Sequence, residues 1–283
     1  MVSLRIKALT IMFAFAAMLL SGCGGLAKNN NIMKVATDTS NLSELVKVLG
    51  KDHVDAVTIL PPDACPDHYD ITAQDMKKFN KSQILLVQTF QEGSFTEKLK
   101  SAANNKDLQV VTVKAPGNWM VPPFRIQAAL ILFPILADTD IKNKLFYEQN
   151  AEQVIKDIGN TGAKVKQQFL TAGVRQIKVI CSDQQKPFLD WAGFKVVGTY
   201  GHPEELTPQL LQSLIDVGKE KAVTLVVDNL QSGPTAGQSL AEELGASHVT
   251  LSNSPGGFAN APTWAQTIAE NTSRLINALQ KNE

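Results

Sequence analysis

The chain has 283 residues with 27 basic and 27 acidic side chains and no formal net charge, so no field draws it to nucleic acid or an anionic membrane surface. Without its first 23 residues about 260 remain, which is long for one core and comfortable for two lobes of roughly 100 to 130 residues each.

The N-terminus carries Arg5 and Lys7, an apolar run from Ala8 to Leu20, and then Leu20-Ser21-Gly22-Cys23. This reads as a secretory signal peptide ending in a lipobox, residues 1–23, with Cys23 as the thiol that accepts the lipid. The run has about 13 residues, short of the ~20 that a spanning helix needs. Gly24, Gly25 and the polar Lys28-Asn29-Asn30-Asn31 make residues 24–33 a flexible tether. With Cys23 assigned to the lipid, Cys65 and Cys181 remain, in an oxidising compartment where thiols pair or bind metal.

Beyond the tether, short β-branched runs alternate with longer amphipathic segments, the pattern of βα units around a parallel sheet. In an N-terminal lobe, residues 34–137, strands are predicted at Lys34 to Thr37, Val54 to Leu60, Ile84 to Val87 and Val110 to Val113. Helices are predicted there at Ser43 to Leu49, Ala73 to Phe79 and Phe95 to Ala103. Residues 138–172 place Ile141, Leu145, Phe146, Val154, Ile158, Val165 and Phe169 at helical spacing without a proline, predicting one long connecting helix, with a break at Gly159 as the alternative. A C-terminal lobe, residues 173–283, repeats the scheme. Its strands are predicted at Ile177 to Ile180, Phe194 to Val197, Val223 to Val227 and His248 to Leu251, and its helices at Pro208 to Gly218, Ala236 to Leu244 and Thr263 to Leu279. The fold class is therefore α/β: two lobes with parallel sheets, one connecting helix and a ligand cleft between the lobes.

Ligands of open α/β sheets bind beyond the carboxyl ends of the strands. The loops there are rich in donor atoms: Pro61 to Asp70, Pro116 to Pro122, Cys181 to Gln185, Asp228 to Pro234 and Ser252 to Pro255. At this point the chain resembles the lipid-anchored solute-binding proteins of zinc and manganese ABC importers. The resemblance rests on the proline-rich loop with His68-Tyr69 leading into Thr72-Ala73-Gln74-Asp75, on Phe146-Tyr147-Glu148-Gln149-Asn150-Ala151, and on Trp191-Ala192-Gly193-Phe194. It implies capture of a divalent transition metal as cargo, with no organic cofactor and no chemistry performed on it. It also implies delivery to a membrane ABC permease with a cytoplasmic ATPase, by a monomer held outside the membrane by its lipid.

The resemblance also implies metal ligands in four loops, and here the sequence departs from the family. Counting from Tyr69, the first position is Asp67 with His68 beside it; the second is Gly117, in Pro116-Gly117-Asn118-Trp119; the third is Ser182, with Cys181 before it; the fourth is Asp228 or neutral Asn253. A site rebuilt with sulfur would use Cys65 and His68 from one loop, Cys181 from the other lobe and Asp228 as an oxygen donor. Thiolate with imidazole suits zinc better than manganese. Asp67, Trp119, Ser182, Asp183, His202 and Asn253 are further candidates for the cleft. The alternative is a Cys65–Cys181 disulfide pinning the lobes, with the polar loops binding a metal complex or a small organic solute. An enzyme is disfavoured, because the chain has no Gly-x-Ser-x-Gly elbow, no HExxH and no phosphate-binding glycine loop.

Overall fold

A computed structural model describes residues 32–88, Phe95, Lys98, Leu99 and Ser101, and residues 108–280. The expected signal peptide with Cys23, most of the expected tether and most of the expected Phe95 to Ala103 helix lie outside the described residues. Among the described residues, no helix is long and apolar enough to cross a membrane.

In the first lobe, β1 (Met33–Thr37), β2 (Val54–Thr58), β3 (Ile84–Gln88) and β4 (Gln109–Val113) form one sheet in the order β2-β1-β3-β4, all parallel. In the second, β5 (Lys178–Ser182), β6 (Lys195–Tyr200), β7 (Leu225–Asn229) and β8 (Ser247–Leu251) repeat that order as β6-β5-β7-β8, again parallel. Each sheet starts in the middle, steps to one edge and then fills the other side, so equivalent loops of the two lobes end up at equivalent places.

The helices form where the sequence stops and starts them. Helix α1 (Ser40–Gly50) begins under Thr39, whose side chain accepts the Leu42 amide. Helix α2 (Ala73–Asn80) has a full capping box: Thr72 accepts the Asp75 amide and Asp75 accepts the Thr72 amide. Helix α3 (Pro122–Thr139) was not predicted. Its first turn carries two prolines and Pro134 lies inside it, so it shows neither an unbroken helical period nor a polar face. The connector, α4 (Lys144–Thr171), is one helix that runs through Gly159 without a break. It begins six residues later than Asp138, because Asp140 and a 3-10 turn at Ile141–Asn143 end α3 and turn the chain first.

Helix α5 (Lys186–Ala192) is a second unpredicted element, only 7 residues long, closed by Gly193 at φ 106°. Of the remaining helices, α7 (Gln238–Leu244) falls within its predicted segment, while α6 (Pro208–Lys221) and α8 (Trp264–Gln280) run past the predicted ends at Gly218 and Leu279.

Strand alternation gives each sheet two apolar faces. The outer faces close small cores: Ala36, Leu85 and Val87 with Phe79 of α2, and Ile180 and Val226 with Leu214 of α6 and Leu240 of α7. The inner faces share one core. Val35 and Leu86 of the first sheet, Tyr147, Val154, Ile158 and Phe169 of α4, and Val179 and Val227 of the second sheet belong to a single buried cluster.

Helix α4 lies so close to the start of α3 that a Cβ added at Gly162 would sit 2.8 Å from the Pro122 ring, whereas one at Gly159 would meet nothing within 4 Å. Gly162→Ala is expected to destabilise by roughly 1–3 kcal/mol through overpacking. Gly159→Ala is expected to stabilise by about 0.5–1 kcal/mol through helix propensity alone. Urea unfolding of both variants, with opposite shifts in midpoint, checks the pair.

Candidate functional site

The carboxyl ends of both sheets open on a cavity of about 630 Å³ between the lobes, within the range of ~300–1000 Å³ usual for small-molecule sites. Its wall carries side chains from both halves: Thr39 and Asn41 after β1, Gln88 at the end of β3, Asn118 and Trp119 after β4, and Asp183, Asn229, Gln231 and Asn253 from the second lobe. Among these described lining residues there is no lysine or arginine.

Hydrogen bonds tie the lobes together across this gap. Asn118 Nδ2 donates to Asn253 Oδ1 at 2.9 Å and to the Gln184 carbonyl at 3.1 Å. Asn41 Nδ2 donates to the Asn253 carbonyl at 2.8 Å, and Gln231 Nε2 to the Pro62 carbonyl at 2.8 Å. Behind them sits a buried charge pair in which Arg125 of α3 donates to Glu44 of α1. Glu44 Oε1 also accepts the Trp264 amide of α8 at 3.0 Å, and Arg125 lies 5.0 Å from the Trp264 ring. Burial pushes the Arg125 pKa down and the Glu44 charge opposes that shift.

At the mouth, two short turns face each other. After β2, Cys65 precedes a 3-10 turn at Pro66–His68; after β6, His202 precedes one at Pro203–Glu205. Cys65, Asp67 and His202 each present a ligand atom, and these atoms lie within 4.8 Å of one another. A tetrahedral zinc ion with bonds of ~2.0–2.3 Å spaces its donors by about 3.3–3.8 Å, so a shift of about an ångström in side chains of this reach closes the set. Nδ1 of His202 is buried without a hydrogen-bond partner, and its Nε2 is 3.9 Å from Asp67 Oδ2. Burial raises the Cys65 pKa, with the Asp67 charge adding to it. His68 lies just outside the trio, its ring 6.1 Å from that of His202 and its Nε2 3.5 Å from Glu204.

Two residues of the sulfur site predicted from sequence are not in the cleft. Cys181 is fully buried on the inner face of β5, in the shared core with Val179 and Phe188, and that burial pushes its thiol pKa up. Cys181 and Cys65 are both free thiols, so the alternative of a disulfide between them is also corrected. Asp228 is likewise fully buried and points to the outer face of β7. Its carboxylate accepts the Tyr200 hydroxyl at 2.6 Å and the Gly237 amide at 3.1 Å, and lies 2.6 Å from His248 Nε2. These partners saturate it and tie β6, β7 and β8 together. Ser182 is buried with its hydroxyl unpartnered and does not line the cavity. Trp119, Asp183 and Asn253 do line it, and Trp119 Nε1 is held by the Ala115 carbonyl.

The second implied ligand position cannot carry a side chain as built. Gly117 has φ 86°, and a Cβ there would sit 2.6 Å from the Phe124 ring. With Asn253 engaged by Asn118, the interior loops carry neutral cross-links where the resemblance implied metal donors. Reading from sequence gave His202 little weight. The signal that pointed to it is the shared pattern Cys65-Pro66-Asp67 and His202-Pro203-Glu204, each following the second strand of its lobe.

Asp38, at the end of β1, is buried completely, with Oδ2 accepting the Gln88 amide at 2.7 Å and Oδ1 unpartnered. Desolvation raises its pKa from 3.8 to about 7, against the lowering effect of its hydrogen bonds to Gln88 and Thr39. Between those two values the folded state holds a proton that the unfolded state has released. Its stabilising contribution is therefore complete below about pH 4 and is lost as pH rises to about 7. Asp38→Asn removes this dependence. The stability difference between variant and wild type is expected to move in the variant's favour over that window, by up to roughly 1.4 kcal/mol per pH unit, read from urea midpoints between pH 4 and 8.

Comparison with known proteins follows the same outline. The family profile described as "ZnuA: Zinc-uptake complex component A periplasmic" matches residues 35–278. The metal ABC transporter substrate-binding lipoprotein FimA of Streptococcus parasanguinis is 23% identical over 240 residues, covering 74% of this chain and 77% of that protein. The manganese ABC transporter substrate-binding lipoprotein PsaA of Streptococcus pneumoniae is 22% identical over 200 residues, covering 63% and 64%. Among solved structures, a crystal structure of ZnuA superposes with a TM-score of 0.75 at 20% identity, covering 88% of this chain and 99% of that one. The Mn-bound periplasmic metal-binding protein of Candidatus Liberibacter asiaticus does so with a TM-score of 0.74 at 17% identity, covering 87% and 99%.

Proposed function

The chain belongs to the zinc-uptake component A family, the substrate-binding receptors of metal ABC transporters, which are not enzymes, and from that premise we propose that it captures a divalent transition metal, zinc in preference to manganese, at the mouth of its interlobe cleft. The observation that carries this reading is the convergence of Cys65, Asp67 and His202 from two lobes on one point. A thiolate, an imidazole and a carboxylate form a mixed set that favours zinc over an ion seeking only oxygen. Binding needs no residue to be consumed, and reversible release suits a receptor that hands its cargo on.

In this reading the N-terminal segment exports the chain and Cys23 carries a lipid that keeps it outside the cytoplasmic membrane. The relatives named as lipoproteins support that placement. The receptor acts as a monomer and docks on a membrane permease, whose cytoplasmic ATPase drives uptake.

Calorimetric titration of the metal-stripped mature protein is expected to give one zinc ion per chain, bound at least ~100-fold more tightly than manganese. Cys65→Ser and His202→Ala are each expected to weaken zinc binding on the order of 100-fold, since loss of even an outer-sphere partner costs ~10–100-fold. Cys181→Ala is expected to retain zinc binding, and thiol titration of the unreduced, unfolded chain to find Cys65 and Cys181 both reactive. Full zinc affinity in both the Cys65 and His202 variants would remove the mouth as the site. Cys23→Ser is expected to move the protein from the membrane fraction to the soluble one.

A further inference from the structure

Among the described residues five large apolar side chains are exposed, and three of them belong to one pole of the molecule: Ile32 at 42%, Ile141 at 74% and Leu145 at 65%. The other two are Leu130, in the middle of α3, and Leu170, at the far end of α4. The pole is the end of the first lobe away from the cleft. Ile32 directly precedes β1, whose first residue, Met33, pairs with Val54, the first of β2. Next to Val54, the His53 ring lies 4.4 Å from that of Phe146 and 6.5 Å from that of Tyr147, at the start of α4. The Tyr147 hydroxyl donates to Asp140 Oδ2 at 3.0 Å, beside the turn that carries Ile141. Asn150 Nδ2 donates to the Val48 and Leu49 carbonyls of α1, both at 2.7 Å. The apolar tips therefore stand on a braced surface.

Their setting suits hydrocarbon under a layer of headgroups. Ile141-Lys142-Asn143-Lys144-Leu145 places two exposed lysines between two apolar tips. Such stems lie along hydrocarbon while their ammonium groups stay at the headgroups. The neighbouring exposed charges balance, Lys51, Lys142 and Lys144 against Asp52, Asp55 and Asp138, so the attraction is apolar rather than electrostatic. The chain that leads into the pole says what covers it. Eight residues, Gly24 to Asn31, separate Cys23 from Ile32, and at ~3.3–3.6 Å each they reach at most about 29 Å. A lipid on Cys23 thus holds this pole, of all parts of the receptor, next to the membrane.

We propose that this pole is seated on the lipid bilayer, with Ile141 and Leu145 entering its interfacial region. The cleft mouth lies at the other ends of the strands and so faces away from the membrane, toward arriving cargo. This rests on the lipid-anchor reading above and adds the pose in which the anchored receptor is held. Handing cargo down requires the contact to break, which a seat of so few side chains allows.

The test uses the full, lipidated protein reconstituted into phosphatidylcholine vesicles brominated on their acyl chains, where bromine quenches tryptophan fluorescence on contact. Leu145→Trp is expected to lose about half or more of its added emission relative to unbrominated vesicles. Asp70→Trp, exposed beyond the carboxyl end of β2, is expected to lose about a tenth or less, since the interfacial region is only ~5–10 Å deep. Phosphatidylglycerol added to the vesicles is expected to change neither value. Ile141→Asp combined with Leu145→Trp is expected to cut the quenching at least ~threefold, with the protein still recovered on the vesicles through Cys23. Absent quenching at Leu145→Trp, or equal quenching at both tryptophans, in protein that stays on the vesicles would overturn the seat while the anchor reading stands. A Leu145→Trp emission that is shielded but unquenched, with a doubled mass in detergent, would give the pole to a second copy and also overturn it. Protein that leaves the vesicles, with no lipid on Cys23 by mass, would overturn both readings.

Discussion

The architecture depends on one continuous apolar core that the two lobes share. The inner faces of both sheets reach it, and α4 threads it from Tyr147 at one end to Phe169 at the other. Opening the cleft by a large rotation would expose part of that core to water at about 25 cal/mol per Å² of apolar surface. Motion between the lobes is therefore confined to what side chains and loops at the rim can absorb. The approach of Gly162 to Pro122 locks α3 to α4, and the Glu44, Arg125 and Trp264 cluster joins α1, α3 and α8.

That rigidity explains the division of labour inside the cleft. The interior loops hold each other through amide hydrogen bonds between Asn118, Asn253, Asn41 and Gln231 and their backbone partners. Each such bond contributes only about 0.5–1.5 kcal/mol net, but each also satisfies groups that would otherwise be buried without partners. Neutral cross-links keep the loops together without the cost of burying charge. Ionisable donors are left to the rim, where Asp67 and His68 remain exposed.

The repeated βα units were legible because strand and helix periods differ and each lobe presents both cleanly. What stayed hidden has identifiable causes. Helix α3 is apolar on nearly every side because Leu132 and Leu136 face the shared core while Leu130 is left exposed, and its prolines mimic a loop. The proposed metal donors were half legible. Cys65 was singled out by chemistry and His202 only weakly, since a lone histidine after a strand means little without its counterpart in space. Cys181 and Asp228 were placed by their position near strand ends, but alternation along the strand decides which face a side chain joins. Cys181 shares the inner face with Val179, and Asp228 the outer face with Val226.

The two turns that meet at the mouth occupy the same station in each half, after the strand that forms the sheet edge, and each opens with a donor residue followed by proline. Proline fixes φ and so spares the turn some of the entropy of ordering. The proposed coordination shell, divided between two such stiff, unconnected arms, is strong only while the arms are in register. Metal–ligand distances tolerate a few tenths of an ångström, so a small sideways slip of one turn is enough to loosen the grip, with no strand broken and no helix unwound.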